Sequence, residues 1–303
     1  MIYLIAALSL GVCDKIVPGL VIGALIFGHL PGIFVPAGPM TSGQDNDEKM
    51  KIRQLYAENK IDRQTLLESE VRSYHGPGTC TFYGTTNSNQ MILEMMRLHM
   101  PGASFMNASM PLRTKEATQR VLEMTALSDD YRPLGMIIDE HSFVNAIVGL
   151  DATGGYTNHA IHLIAMAAVC GIRLTWHDIA EISPVVPLLV RIYPNGLAAM
   201  NHLHAAGGMG FVIRELIEVG LVREDVCPVF CTDLNAYATE VKLYADGCVV
   251  REPALNKSGN HKILQGGKNR FKLMVVFVFC REIWAQLLLK FHLLSLSIGG
   301  LKL

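Results

Sequence analysis

Two cysteines stand in settings that could give their thiols a chemical role. Cys13 follows an apolar stretch and is followed by Asp14 and Lys15, so that a soft ligand, a hard ligand and an amine share one turn. Cys80 follows the turn Gly76-Pro77-Gly78-Thr79, which would hold its side chain against another loop. Thiolates suit iron–sulfur clusters and carboxylates suit Mg²⁺. Taken alone, each pattern is also that of a packed thiol or an exposed ion pair, which are the commoner arrangements.

Two pairs of glycines stand before apolar helical stretches, where backbone amides could bind an anion. The pair Gly154-Gly155 precedes a predicted helix for which Thr157 or Asn158 would be the N-cap. The pair Gly207-Gly208 precedes a similar stretch. Helix N-termini attract anionic groups through their free N–H groups and their dipole. The sequence therefore predicts carboxylate or phosphate binding at both pairs.

The other cysteines and the histidines leave further interpretations open. Cys227 and Cys231 resemble half of a zinc site, but no second Cys/His pair at zinc-finger spacing accompanies them. Cys170 lies in the last turn of a predicted apolar helix, where a packed thiol is expected. His159 and His162 are three residues apart and could share a metal, although a packed or substrate-facing histidine is commoner on such a helix. Zinc is therefore the less favoured interpretation.

The elements that must position these residues are typical of an α/β protein. Apolar strands are predicted within residues 3–12 and 31–36, separated by a short helix over 18–27. Cys13 then follows the carboxyl end of a strand, where open α/β sheets form their sites. The other predicted elements are helices over 63–74, 111–127 and 160–169, and strands and turns over 229–250, including a tight turn at Asp246-Gly247. The sequence predicts a parallel sheet flanked by helices, followed by a more β-rich segment.

Composition excludes some classes of protein. The 303 residues include 26 Lys plus Arg against 27 Asp plus Glu, and a net charge of −1 removes the attraction that drives non-specific nucleic-acid binding. Seven cysteines cannot all pair with one another, which favours a reducing compartment over a disulfide framework. The apolar stretch at 1–12 lacks the features of an export signal, and charged residues follow the apolar stretch at 273–280 too soon for a membrane-spanning helix. We expect a cytoplasmic protein that binds neither nucleic acid nor a membrane.

Six segments carry motifs that belong together: LGVCDKIVPG (10–19), HLPGIFVPAGPMTSG (29–43), GPGTCTFYGTTNSNQM (76–91), DATGGYTNHAIHLIAMA (151–167), DIAEISPVVPLLVRIYPNG (178–196) and MNHLHAAGGM (200–209). Together they resemble the dihydroxy-acid and phosphogluconate dehydratase family. The run Thr-Phe-Tyr-Gly after Cys80 and the run Asn-His-Leu-His at 201–204 are similar to the phosphogluconate branch rather than the branched-chain amino-acid branch. The resemblance runs from the first residue to about Pro253.

The resemblance implies an iron–sulfur cluster held by three cysteines, of which Cys13 and Cys80 match two positions. A four-iron cluster is expected rather than a two-iron cluster. Asp14 and Lys15 match the Mg²⁺-binding turn of the family, in which the lysine is carbamylated in some members. The substrate-binding residues predicted beside them are Thr153, Gly154, Gly155, Thr157, Asn158 and His159.

The reaction that the resemblance implies is a dehydration by a hydro-lyase. An iron of the cluster acts as a Lewis acid on the C3 hydroxyl of 6-phosphogluconate, a base removes the C2 proton, and the product is a 2-keto-3-deoxy acid of the Entner–Doudoroff pathway. Family members commonly form homodimers. Two alternatives stay open: a dehydratase of another sugar acid or dihydroxy acid, and a non-catalytic remnant that associates with a full-length homologue.

The chain also departs from the family pattern near its ends. Residues 1–227 are expected to form the dehydratase α/β domain without the N-terminal segment that carries the first cluster cysteine. Residues 228–255 are expected to begin the β-rich C-terminal domain, which supplies a serine implicated as the base, so the catalytic base is not identified here. Residues 256–303 change abruptly in composition and are expected to be a frame-shifted tail. We therefore expect little dehydratase activity from this chain alone.

Overall fold

A computed structural model describes the backbone of residues 4–41, 43–73, 76–110, 112–230, 233–244 and 249–271. Within these ranges the protein is an α/β structure with a parallel pair of strands, flanking helices and a small antiparallel pair near the end. The predicted fold class is confirmed. The predicted turn at Asp246-Gly247 lies outside the described residues, as do Cys231, Cys248 and residues 272–303.

Strands β1 (Ala7–Gly11) and β2 (Gly32–Pro36) pair in parallel, with Ala7 opposite Gly32 and Gly11 opposite Pro36. Helix α1 (Ile16–Ile26) connects them and buries Val17 and Val21 against the core. Strand β2 is buried along its whole length, which explains its apolar sequence. Both strands and the intervening helix were predicted, and each is confirmed with bounds that differ by a few residues.

The remaining helices pack around the strands and bury a continuous apolar core. They are α2 (Asn46–Ala57), α3 (Arg63–Ser73), α4 (Thr85–Met95), α5 (Leu112–Glu123), α6 (Leu134–Ile137), α7 (Glu140–Thr153), α8 (His159–Val169), α9 (Trp176–Ile182), α10 (Met200–Ala205) and α11 (Gly208–Glu218). Helices α4 and α7 pack against each other at the centre and are buried over nearly all of their residues. No helix in the described ranges is long and apolar enough to cross a membrane.

The later part of the chain is more β-rich, as predicted. Strands β3 (Thr239–Leu243) and β4 (Val249–Pro253) form an antiparallel pair. Residues 254–271 continue into the α/β body: the Arg191 amide donates to the Ile263 carbonyl at 2.7 Å, and Val190 forms a bridge with Leu264. Packing therefore continues past residue 256, where the sequence predicted the start of a frame-shifted tail.

Helix α8 follows the pair Gly154-Gly155 and has Asn158 as its N-cap, as predicted, but the two glycines themselves end the preceding helix α7. Gly154 adopts the left-handed conformation, with φ +66°, and ends α7. Its amide donates to the Asp151 carbonyl, and the Gly155 amide donates to the Leu150 carbonyl. These N–H groups close the end of a helix and are not free to bind an anion there. The second pair does open a helix, since Gly207 is the N-cap of α11.

Candidate functional site

The first cysteine loop lies at the carboxyl end of β1. The Cys13 side chain is exposed, and its Sγ lies 2.8 Å from the Oγ1 atom of Thr86 in the first turn of α4. The next residues of the same helix hold the loop backbone: Asn89 donates to the Asp14 carbonyl at 2.6 Å, and Gln90 donates to the Gly11 carbonyl at 3.3 Å. Helix α4 thus fixes the loop that carries Cys13.

The second cysteine loop extends the edge of the strand pair. The Thr79 amide donates to the Gly38 carbonyl at 2.8 Å, and the Met40 amide donates to the Thr79 carbonyl at 2.9 Å. Gly78 has φ +125°, and a Cβ atom there would lie 2.6 Å from the Met40 amide nitrogen. Only glycine fits this close approach without backbone movement. The loop therefore presents Cys80 beside the end of β2.

The two thiols converge on the hydroxyl of Thr86. Burial raises the pKa of the Cys80 thiol, the nearby Cys13 raises it further, and contact with the Thr86 hydroxyl lowers it. Asn87 also holds the Cys80 loop, because its Nδ2 atom donates to the Cys80 carbonyl at 2.7 Å. The structure therefore brings together two cysteines that are 67 positions apart in the chain, 80 minus 13.

Asp14 and Lys15 form an ion pair beside the thiols, with 2.7 Å between Oδ2 and Nζ. Lys15 is the main cause that lowers the pKa of Asp14, with smaller contributions from Asn158 and His162. Asp14 in turn raises the pKa of Lys15. Carbamylation requires a neutral amine, so this ion pair opposes modification of Lys15 until another cation neutralises Asp14.

His162 and His159 lie behind Asp14 on α8. The His162 Nε2 atom is 3.6 Å from Asp14 Oδ1, and neither atom makes a hydrogen bond within the described residues. His159 is fully buried, its Nε2 atom lies 2.7 Å from the Ser88 hydroxyl, and burial lowers its pKa to about 3. His159 is therefore neutral and anchors α8 to α4.

The other predicted substrate-binding residues separate into two groups. Asn158 donates to the Thr85 hydroxyl at 3.1 Å and therefore stands at the start of α4, close to Asp14. Thr157 is exposed. Thr153 is buried, lies 2.7 Å from the Tyr83 hydroxyl and donates to the Gly149 carbonyl. Gly154 and Gly155 are buried next to Thr153 in the chain. These three residues therefore support the site from within the core.

A cavity of 360 Å³ opens beside Cys80, within the range of small-molecule sites. Helix α2 forms one wall, and Phe82, Tyr156, Tyr193 and Pro194 form another. The Met200 amide at the start of α10 donates to the Thr81 carbonyl at 2.7 Å and holds the floor of the cavity. A substrate in this cavity would lie against the Cys80 thiol.

The polar residues at the start of α4 are the part of the site that the sequence analysis missed. Residues 85–90 read Thr-Thr-Asn-Ser-Asn-Gln, and most of these side chains are buried. Buried polar side chains need hydrogen-bond partners, and here the partners are the two cysteine loops and α8. A run of six polar residues followed at once by a run of apolar residues was the available signal.

The residues present provide some, but not all, of the ligands that an iron–sulfur cluster bound through thiolates needs. Two free thiols lie near the Thr86 hydroxyl, and soft thiolates are the ligands that iron–sulfur clusters use. The carboxylate atom Asp14 Oδ1 is buried without a hydrogen-bond partner among the described residues, as suits a hard cation. Within the same ranges, no group of three or more His, Cys, Asp or Glu residues converges as a complete metal site.

Fold and site together define an α/β protein with a candidate metal centre at the carboxyl end of a parallel strand pair. Residues 3–236 match the family described as dihydroxy-acid/6-phosphogluconate dehydratase N-terminal, and the chain belongs to this family. The resemblance inferred from the six sequence segments is confirmed.

Curated relatives support the same assignment. The chain is 61% identical over 262 residues to the phosphogluconate dehydratase of Rhizobium meliloti, a match that covers 86% of this chain and 43% of the relative. It is 54% identical over 263 residues to the phosphogluconate dehydratase of Pseudomonas aeruginosa, with the same two coverages. It is 33% identical over 223 residues to the dihydroxy-acid dehydratase of Thermus thermophilus, covering 71% of this chain and 40% of the relative. The chain thus spans less than half the length of these relatives.

Proposed function

We propose that this protein takes part in the dehydration of 6-phosphogluconate to 2-dehydro-3-deoxy-6-phosphogluconate, a hydro-lyase step of the Entner–Doudoroff pathway. The observation that carries the proposal is the convergence of the Cys13 and Cys80 thiols at the Thr86 hydroxyl, next to Asp14 and Lys15. This arrangement suits a cluster and a divalent cation that act on neighbouring oxygen atoms of one substrate.

The residues of the chain have separate tasks in this proposal. Cys13 and Cys80 would hold an iron–sulfur cluster of the four-iron type, and Asp14, together with Lys15 once that lysine is carbamylated, would hold Mg²⁺. When bound, the cluster supplies a Lewis acid for the leaving C3 hydroxyl. Helix α4 keeps both cysteine loops in place through Asn87 and Asn89, and the cavity beside Cys80 gives the substrate room to lie against that thiol.

The choice of substrate follows from the relatives. Identity to the two phosphogluconate dehydratases exceeds that to the dihydroxy-acid dehydratase by more than 20 percentage points, from 61% and 54% to 33%. A phosphorylated sugar acid is therefore favoured over a branched-chain dihydroxy acid. Dehydration of another sugar acid is the alternative, and comparison of product formation from 6-phosphogluconate, gluconate and dihydroxy-isovalerate separates the two.

The cluster is tested by anaerobic reconstitution of the chain with ferrous iron and sulfide. We expect Cys13→Ser and Cys80→Ser to lose most of the bound iron and sulfide. Cys170→Ser and Cys227→Ser are matched controls, because these thiols are also free but lie outside the site. Equal iron and sulfide contents in all four variants would contradict the proposal, as would the absence of both elements from the unaltered chain.

A reducing compartment is part of the same proposal. Cys13, Cys80, Cys170 and Cys227 are free in the described part of the chain, which suits the cytoplasm. Assembly as a homodimer, which the family resemblance implies, is measured by light scattering of the reconstituted protein.

A further inference from the structure

The cavity beside Cys80 carries an uneven distribution of charge. Lys49 and Arg53 of helix α2 line it, and no carboxylate does. The two cations are four residues apart and therefore lie on one face of the helix. Met50, between them in sequence, lines the same wall. The cavity thus has a positive wall on helix α2 in addition to its aromatic wall.

Neither cation is neutralised by a neighbour. Among the described residues, neither Lys49 nor Arg53 forms an ion pair or a side-chain hydrogen bond, whereas Lys60 and Arg72 nearby pair with Glu58 and Glu68. Lys49 is half-buried and Arg53 is exposed. Two unpaired cations facing one cavity favour an anionic ligand, because a ligand anion would supply the missing partners.

We propose that Lys49 and Arg53 bind the phosphate group of the substrate and so select phosphorylated over unphosphorylated sugar acids. This inference rests on the proposed function. The substrate has two anionic ends, a carboxylate next to C2 and a phosphate on C6. The reacting carbons C2 and C3 must lie near the thiols, which keeps the carboxylate on the side of Cys80 and Asp14.

The C6 end then points along the cavity, away from the thiols and towards α2. A guanidinium group binds two phosphate oxygens at once, and a lysine adds a point charge. Tyr156 and Tyr193, which also line the cavity, offer hydroxyl groups to the sugar-acid hydroxyls between the two ends. The structure thereby assigns the two ends of the substrate to two sides of one cavity.

The test is calorimetric titration of the full chain with 6-phosphogluconate and, separately, with gluconate. We expect the unaltered chain to bind the phosphorylated ligand more tightly. Lys49→Gln and Arg53→Gln should each lose about tenfold or more in affinity for 6-phosphogluconate, as expected for one charged hydrogen bond. Affinity for gluconate should stay within about twofold, a difference below that of a single hydrogen bond.

Lys51→Gln is the matched control, because Lys51 is an exposed lysine of the same helix that does not line the cavity. An equal loss of affinity in Lys51→Gln would show a general charge effect and overturn the proposal, as would equal binding of the two ligands by the unaltered chain. Circular dichroism verifies folding, and Arg53→Lys should recover part of the lost affinity. Binding is measured without a cluster. Failure of cluster loading would therefore overturn the proposed reaction, while phosphate binding could still be tested.

Discussion

Thr86 shows how a single side chain can define a site. Its hydroxyl is 2.8 Å from Cys13 Sγ and also contacts Cys80, although the two thiols come from different loops. Thr86 is almost fully buried, so its hydroxyl depends on these contacts. Burial raises the pKa of the Cys80 thiol overall, and the Thr86 hydroxyl offsets part of that rise by stabilising the ionised form, which is the form that binds iron.

Asp151 is a second residue whose environment controls its charge. It is buried in α7, its Oδ1 atom accepts a hydrogen bond from Ser183 at 3.2 Å, and its Oδ2 atom has no partner among the described residues. Burial raises its pKa from 3.8 to about 7. Between these two values the folded protein keeps a proton that the unfolded chain has released. The free energy of unfolding therefore falls as the pH rises through this range.

Asp151→Asn should remove this pH dependence. We expect variant and unaltered chain to have similar stability below about pH 3, because Asp151 is then mostly protonated in both folded and unfolded states. At pH 8 the variant should be more stable, by an amount on the order of 4 kcal/mol at most for a shift of about three units. Urea denaturation at a series of pH values measures the difference, and His99 and His159 contribute equally to both proteins.

The control for this prediction is Asp129→Asn, which removes the charge of an exposed aspartate. Its effect on the free energy of unfolding should be within about 0.5 kcal/mol at every pH. An Asp151→Asn variant that is as stable as the unaltered chain at both pH 3 and pH 8 would show that Asp151 is not held protonated by the fold.

At the scale of elements, helix α4 is the part that organises the site. Its first two turns hold the Cys13 loop through Asn89, the Cys80 loop through Asn87 and helix α8 through Ser88. Its later turns are apolar and buried against α7. One helix therefore connects the core to both cysteine loops, and changes at its N-terminal end should affect stability and site geometry together.

Asn87→Ala should destabilise the protein by about 2–4 kcal/mol. The buried Asn87 amide donates to the carbonyls of Cys80 and Phe82 and accepts from the Thr79 hydroxyl, and its loss leaves these groups without partners. Hydrogen exchange of residues 79–83 should become faster as the loop loosens. Gln54→Ala is the control, because the exposed Gln54 side chain donates a hydrogen bond to Glu58 of the same helix. Equal destabilisation by both substitutions would contradict the proposed role of α4.

Some of these elements could be predicted from sequence and others could not, for physical reasons. The apolar strands and the position of Cys13 after β1 follow from local pattern and the rule for strand ends. The role of residues 85–90 could not be predicted in this way. A run of polar residues is as typical of an exposed helix face as of a buried helix whose polar side chains form hydrogen bonds. Gly154-Gly155 was misassigned because helix α7 before it had not been recognised, and a glycine in the left-handed region ends a helix as readily as it precedes one.

At the scale of the whole molecule, the β3–β4 hairpin is tied to the α/β body. Arg251 of β4 makes two parallel hydrogen bonds to Glu116 of α5, at 2.9 and 2.7 Å, and its guanidinium lies 4.5 Å from the Phe230 ring centroid. The Tyr237 hydroxyl donates to the His99 carbonyl at 2.8 Å. Within the described ranges, side-chain contacts therefore cross the predicted boundary at residue 227.

Arg251→Met tests whether hairpin and body unfold as one unit. The Arg251 and Glu116 side chains are 18% and 19% exposed, so removal of one partner leaves a mostly buried charge. We expect a loss of about 1–3 kcal/mol, less than for a fully buried pair because water still reaches both groups. Hydrogen exchange at Thr239–Leu243 and in α7 should report the same loss if the unit is cooperative.

Two further substitutions sharpen this test of the hairpin. Glu116→Gln combined with Arg251→Met should cost less than the sum of the two single changes, because the second change removes a group already left without its partner. Lys242→Met breaks the exposed ion pair to Glu252 in the same hairpin and should cost less than about 1 kcal/mol. Faster exchange confined to the hairpin, with α7 unchanged, would instead show that residues 239–253 unfold separately and that the predicted boundary at 227 is thermodynamically real.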